Sequence, residues 1–195
     1  CMLCSLSTVC AQDINDTQIT TETDSSNASD TLQLAQDTVL SDSGDDLQKI
    51  INNASEGSTI TLDKNYTPAK ILKIDKTITI DGAGNTIDCK DNQIYSSKGD
   101  ITLKNLVLVN GNSNVGGAIF ISGSATYNII NCTFINNTAK SCGGAMFFHN
   151  TTDANNFTGD FTGNSALGQV DDSVGNGGAI TFKNVSTNCV FTCDF

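Results

Sequence analysis

The chain of 195 residues has no arginine and no tryptophan, one proline (Pro68) and one histidine (His149). Its ten basic residues are therefore all lysines. They stand against 21 acidic residues, and the formal net charge is -11. Without a basic face, the composition argues against nucleic-acid binding. With one histidine, and with Cys1 and Cys4 as the only Cys-x-x-Cys pair, we expect no structural zinc site and no cofactor.

Long apolar runs are also missing, since no stretch reaches the 18 or more apolar residues that a membrane-spanning helix needs. We therefore expect no transmembrane span in this chain. Residues 1–11 form a short apolar segment that ends in Val9-Cys10-Ala11, a cleavage pattern of the A-x-A kind. This segment is interpreted as the remnant of a signal peptide. It predicts a secreted, extracellular or cell-surface protein.

Charge is distributed unevenly along the chain. Residues 12–48 contain nine carboxylates and no lysine. Residues 12–43 are rich in Thr, Ser, Asp and Gln and have no sustained apolar period, which predicts a disordered acidic leader. After the leader, residues 44–54 place Leu47, Ile50 and Ile51 at helical spacing and predict a short amphipathic helix. We expect this helix to be the first element of a domain of residues 44–195 and to cap its open end.

The body of the chain contains an internal repeat. The segments NLVLVNG (105–111), NCTFINN (131–137), TGDFTGN (158–164) and NCVFTCD (188–194) align when Leu108, Phe134, Phe161 and Phe191 are taken as equivalent. Three of the copies are followed by a glycine pair and an apolar run: GGAIFIS, GGAMFFH and GGAITFK. A repeat spacing of this length predicts a stack of structural units.

Apolar and polar residues alternate within each copy, which predicts β-strands and an all-β fold. We interpret each repeat as a coil of three short strands and three turns, with its strands pairing to those of the next coil. The Asn-Asn and Gly-Gly pairs are predicted to be corners, because asparagine and glycine tolerate left-handed backbone angles. The pattern stops in mid-repeat at CDF, so truncation at the C-terminus is expected.

These motifs resemble known proteins. The GGA[I/M] runs paired with FxNN resemble the repeats of polymorphic outer-membrane proteins. Residues 44–195 resemble adhesin-like right-handed parallel β-helix proteins of methanogenic archaea. The helix followed by STITL and TITIDGAGNTIDC resembles the start of the pectin-lyase-like fold. The resemblance implies a right-handed parallel β-helix. The middle copy of the repeat departs from the motif at Gly159, Asp160 and Gly163.

The implied fold includes polysaccharide lyases and hydrolases, so we weighed an enzyme against a surface protein. Hydrolases need two carboxyl groups held at a fixed separation. Outside the cap, the only adjacent pair is Asp171-Asp172, in a glycine-flanked loop, and the chain lacks the arginine that lyases of this fold often use as base. Tyr66, Tyr95 and Tyr127 are scattered, which predicts no aromatic sugar platform.

We therefore predict a non-enzymatic, adhesin-like protein, an extended stalk with no catalytic and no metal-binding residues. Its expected partners are cell-surface glycans or proteins of a host or of neighbouring cells. The first alternative is the N-terminal part of a polysaccharide lyase or hydrolase whose catalytic coils lie beyond Phe195. A structural component similar to an S-layer is a further alternative.

Two further predictions concern modification. Most of the body cysteines are expected to be small buried residues, with pairing left open, and Cys132 and Cys189 are expected to share one position two coils apart, too far for a disulfide. The body cysteines are Cys89, Cys132, Cys142, Cys189 and Cys193. Glycosylation is permitted at several Asn-x-Ser/Thr sequons, whereas Asn131 is expected in a coil interior where no glycan fits. The candidate sites are Asn15, Asn27, Asn53, Asn65, Asn136, Asn150, Asn156 and Asn184.

Overall fold

A computed structural model describes residues 46–123, 126–151, 155–168, 177–185 and 189–195, with the backbone alone at positions 155, 189 and 191. The predicted signal remnant 1–11 and leader 12–43 lie outside this part of the chain. The described residues form one short helix and parallel strands in three sheets. The all-β prediction is confirmed at this level.

The first sheet is the largest and contains eight strands. Its members are β1 (Thr59–Thr61), β3 (Ile78–Asp81), β4 (Thr86–Asp88), β6 (Ile101–Lys104), β7 (Val107–Val109), β10 (Tyr127–Ile135), β13 (Asn155–Thr162) and β16 (Cys189–Asp194). The second sheet contains β2 (Leu72–Lys73), β5 (Ile94–Ser96), β9 (Ile119–Ser122), β12 (Met146–His149) and β15 (Ile180–Lys183). The third contains β8 (Asn112–Ser113), β11 (Thr138–Ala139) and β14 (Ser165–Ala166).

All described strand pairings are parallel, and each strand pairs with its counterpart in the neighbouring repeat. Thr59 pairs with Thr79 at the start of the stack, and Asn155 pairs with Cys189 at its end. From the third repeat onward the chain visits the first, third and second sheets in the same order. The predicted stacking of repeats is therefore confirmed.

Stacking places equivalent inward residues on top of one another, so the core consists of ladders of similar side chains. One ladder contains the phenylalanine pair that was predicted from the repeat spacing, Phe134 and Phe161. Each buried phenylalanine or isoleucine contributes roughly 1.5 to 3 kcal/mol of transfer free energy. The two ladders of the first sheet are Ile60–Ile80–Leu103–Ile129–Phe157 and Ile87–Leu108–Phe134–Phe161, all of them buried.

The corners contain the asparagines and glycines that the sequence predicted. Asn105 and Asn131 adopt φ angles of 51° and 52°, and the Asn131 side-chain amide donates to Oδ1 of Asn105 at 2.9 Å. Within the glycine pairs, a Cβ on Gly117 would overlap the carbonyl oxygen of Gly144. A Cβ on Gly144 would in turn overlap the carbonyl oxygen of Gly178. The glycines are therefore required by the close approach of successive repeats.

The predicted helix is confirmed as α1 (Asp46–Asn53), and it packs on the first strand of the second sheet. Its residues Leu47 and Ile51 are each 1% exposed. The Gln48 side chain accepts from the Lys73 N–H at 2.7 Å and donates to the Lys73 carbonyl at 3.0 Å. A side-chain amide thus satisfies the peptide groups that the strand edge would otherwise leave unpaired.

The register predicted for the last repeat is wrong. Phe191 pairs with Phe157, so its ladder differs from that of Phe134 and Phe161. The residue equivalent to Phe161 is Phe195, whose ring stacks on it with centroids 5.2 Å apart. The duplicated segments FTGDF (157–161) and FTCDF (191–195) define the true alignment.

This correction moves the cysteines as well. Cys132 pairs with Gly159, which pairs with Cys193, so the position predicted for Cys189 belongs to Cys193. Cys189 pairs instead with Asn155. Among the cysteines with described side chains, Cys89, Cys132, Cys142 and Cys193 are all free thiols, and the first three are buried. The expectation of small buried residues is confirmed for those three.

Candidate functional site

Three aromatic side chains form a column on the outside of the second sheet. The centroids of Tyr95 and Phe120 lie 5.4 Å apart, and those of Phe120 and Phe147 lie 5.5 Å apart. The rings are tilted by 51° and 43°, a geometry in which the edge of one ring approaches the face of the next. The column therefore spans three consecutive repeats.

The strand period explains why these rings point outward. Side chains alternate between the two faces of a strand. Ile94, Ile119 and Met146 precede the three aromatic residues and are buried in the core, so the residues that follow them occupy the opposite face. The register is direct, with Tyr95 paired to Phe120 and Phe120 paired to Phe147.

A polar column lies beside the aromatic one, two residues further along each strand. Ser122 pairs with His149, which pairs with Lys183. At the other end the Ser97 hydroxyl lies 3.4 Å from Oδ1 of Asp75. We name these two columns together the aromatic face: Tyr95, Phe120, Phe147, Ser97, Ser122 and His149.

The accessible part of the aromatic face is its first half. Phe147 is only 6% exposed, whereas Tyr95 and Phe120 are half-buried. The structure thus contains an aromatic row that the scattered tyrosines did not predict. Tyr66 and Tyr127 are buried in the core, but Tyr95 belongs to a row completed by phenylalanines. The sequence contained a signal for it, since Phe120 and Phe147 occupy the same position after the glycine pairs.

This arrangement combines two kinds of recognition. Aromatic rings present apolar surface with a defined stacking geometry. Serine hydroxyls and the imidazole supply both donors and acceptors. A ligand with one apolar face and hydroxyl groups at its edge could make both kinds of contact at once. A ligand built of repeated units could contact successive repeats of the stack.

The carboxylate of Asp81 is engaged by three donors. Oδ2 of Asp81 lies 3.0 Å from the Lys104 ammonium, and Asp81 also accepts from the Ala83 N–H and from Asn105. The Ala83 N–H, then Lys104 and Asn105, lower the pKa of Asp81 to about 2. A carboxylate held ionised in this way is poorly suited to act as a general acid.

Two other acid–base groups also have partners within the described residues. The hydrogen bond from Tyr66 holds the pKa of Asp63 below its usual value. His149 stacks beside Phe147 with centroids 6.1 Å apart. Asp171 and Asp172, the adjacent acidic pair that the sequence offered outside the cap, lie outside the described residues. Within the described part of the chain, no cluster of three His, Cys, Asp or Glu side chains could hold a metal ion.

The sequons lie at the corners and on the outer surface. Asn131 was expected in an interior but is exposed, with its amide engaged in the corner ladder. The amide of Asn184 likewise donates to Oδ1 of Asn150 at 3.2 Å. Asn15 and Asn27 lie outside the described residues, and glycosylation stays a prediction for every sequon. The candidate glycosylation sites that the structure describes are all exposed: Asn53, Asn65, Asn136, Asn150, Asn156 and Asn184.

Comparison with protein-family models, with curated proteins and with solved structures finds no match to this chain. In the part of the chain that the structure describes, no helix has the length and apolar character of a membrane span. The function is therefore argued from the geometry of the aromatic face and from the sequence.

Proposed function

We propose that the three parallel sheets are the faces of a right-handed parallel β-helix. Two observations support this proposal. The chain returns to the first sheet after each visit to the second, and every return adds a strand parallel to the previous one. Crossovers between parallel strands of one sheet are right-handed in about 98% of cases.

We further propose that the protein is an exported, non-enzymatic, adhesin-like stalk. The signal-like segment 1–11 supports export, and the ladder-built repeats support an extended and rigid shape. In this proposal the stalk displays the aromatic face to the outside, where it contacts glycans of neighbouring cells or of a host. The protein then acts by binding at the cell surface or in the extracellular medium.

One observation carries the choice of ligand: Tyr95 and Phe120 stack outward in register, with Ser97 and Ser122 alongside. Pyranose rings have apolar C–H faces that suit aromatic side chains and hydroxyl groups that suit serines. Tyr95, Phe120, Ser97 and Ser122 carry no charge, and the flanking Lys73 and Asp75 are of opposite sign. We therefore favour a neutral glycan over a charged one.

The test is retention of the full chain in native gels that contain a soluble neutral polysaccharide, using a panel of glucans, mannans and galactans. We expect retardation by at least one member and no release of reducing ends or unsaturated products. Product formation that disappears in Asp171→Asn or Asp172→Asn would favour the enzyme alternative. Absence of retardation by every glycan in the panel would contradict the proposed function.

A further inference from the structure

A cleft of about 550 Å³ lies between α1 and the first strand of the second sheet. It borders the aromatic face, since Lys73 pairs with Tyr95 and Asp75 accepts from the Ser97 hydroxyl, and it is of a size typical for ligand sites. The cleft is lined by aliphatic residues and lysines. Ile71 is its exposed aliphatic side chain and forms the floor, since Ile51 and Leu72 are only 1% and 2% exposed, and Lys49, Lys70, Lys73 and Lys76 form the rim.

The charge of this cleft differs from that of the whole chain. Residues 49–195 contain twelve carboxylates and ten lysines, yet four of those lysines line this one cleft, against the single carboxylate of Asp75. Such a concentration of positive charge attracts an anionic partner.

Two of the four lysines already have partners. The Lys76 ammonium donates to the carbonyls of Asn52 and Ala54 at 3.0 and 2.9 Å, where it satisfies the C-terminal end of α1. The Lys49 ammonium lies 3.6 Å from Asp46. Lys70 and Lys73 are exposed and have no ion-pair partner among the described residues. These two ammonium groups are therefore available to a ligand.

The apolar floor of the cleft indicates which kind of anion fits. Ile71 is 44% exposed, so its apolar side chain is open to contact with a ligand. None of the described residues that line the cleft is aromatic, so it lacks the stacking surface that suits a sugar ring. An aliphatic side chain of a ligand would instead cover Ile71.

Strand addition is not the binding mode at Lys73. The Lys73 peptide group is already occupied by the Gln48 side chain. A partner is therefore held by its side chains, with carboxylates on the lysine rim and an aliphatic group on the floor. These features match an acidic peptide with interspersed leucine or isoleucine.

We propose that the cleft beside α1 is a docking site for an acidic, leucine- or isoleucine-containing peptide segment of a partner protein. The site does not rest on the proposed function of the aromatic face. It adds a second interaction surface at the helix-capped end of the stack.

The test is fluorescence anisotropy of the full chain with a labelled peptide that alternates glutamate and leucine. Matched probes alternate serine with leucine and glutamate with serine. We expect the glutamate–leucine probe to bind more tightly than either matched probe. Its affinity should fall between about 0.05 M and about 0.5 M salt, because the added salt screens exposed charges.

The decisive variant is Lys70→Glu combined with Lys73→Glu, which should weaken binding about tenfold or more through lost attraction and new repulsion. Ile71→Ser should weaken it severalfold with no change in charge. Lys140→Glu combined with Lys183→Glu is the matched control, because it makes the same charge change away from the cleft. An equal loss in the control, no binding of the glutamate–leucine probe, or tighter binding of polygalacturonate would overturn the proposal.

Discussion

The rings of Phe134 and Phe161 lie 4.8 Å apart and within 3° of parallel, in successive repeats of the stack. Phe134 is fully buried, and Phe161 is 6% exposed. This pair confirms the prediction that equivalent phenylalanines one repeat apart point inward and stack. The separation of the ring centroids equals that of neighbouring strands, as expected for residues paired in register.

We predict that Phe134→Ala lowers the free energy of unfolding by about 3 to 5 kcal/mol, because it removes buried surface and leaves a cavity. Urea denaturation followed by circular dichroism measures the change. Thr102→Ala, at an outward and half-buried position of β6, is the control and should change stability by less than about 1 kcal/mol. Equal effects of the two substitutions would contradict the inward placement of Phe134.

Substitutions of the adjacent asparagines Asn136 and Asn137 should differ in their effect on stability. Asn137 is fully buried; its Oδ1 accepts from the Gly111 N–H at 2.8 Å, and its amide donates to the Leu108 carbonyl at 3.2 Å. Asn137→Ala leaves these groups unpaired and should cost about 1 to 3 kcal/mol or more of stability. Asn136 is exposed with a φ of 54°, so Asn136→Gly should be nearly neutral. Thermal melts of both variants test the contrast, which would fail if Asn136→Gly were the more harmful.

Stability should depend on the ionisation of Asp81. Its pKa is lowered from the ordinary value of 3.8 to about 2 in the folded chain. The stabilisation is therefore complete above about pH 4 and is lost as the pH falls toward 2. Denaturation midpoints of the wild type and Asp81→Asn should converge over that range.

Lys104→Met separates the causes of this shift. The largest cause is the Ala83 N–H, which the substitution leaves intact. Most of the pH dependence should therefore persist in Lys104→Met. Its complete loss would show that the ion pair, and not the backbone hydrogen bond, dominates.

The cysteines should differ in reactivity. Burial raises the pKa of the Cys89 thiol to about 12 and that of the Cys132 thiol to about 11. Because the thiolate is the nucleophile, both should resist alkylation in the folded protein. Of the four cysteines whose side chains are described, Cys193 is the one only partly buried and should react first. Iodoacetamide labelling followed by peptide mapping tests this order, which fast labelling of Cys132 before unfolding would contradict.

Much of the fold could be predicted because successive repeats stack with their equivalent residues in register. Equivalent residues such as Phe134 and Phe161 occupy equivalent places, so their spacing in sequence reports their pairing in space. The last repeat was misaligned because phenylalanines occur four residues apart in both strands, at 157 and 161 and at 191 and 195. Cys189 resembled Cys132 in its local sequence and favoured the wrong choice.

The candidate site was less predictable for a different reason. Considering tyrosines alone hid the row that Tyr95 forms with Phe120, although both follow an inward isoleucine. The cleft beside α1 could not be predicted, because it joins a helix to a strand more than 20 residues later through the Gln48 contact with Lys73. This contact involves no repeated segment, so the sequence pattern does not indicate it.

The central claim is that the aromatic face binds a neutral glycan. The most direct measurement is calorimetric titration of the wild type, Tyr95→Ala, Phe120→Ala and Thr102→Ala with the polysaccharide that retards the protein most strongly. The account predicts that each aromatic substitution weakens binding about fivefold or more, since a stacked aromatic contact contributes about 1 kcal/mol. Thr102→Ala should bind as the wild type does. Unchanged affinity in both aromatic variants, with all four proteins folded, would contradict the account.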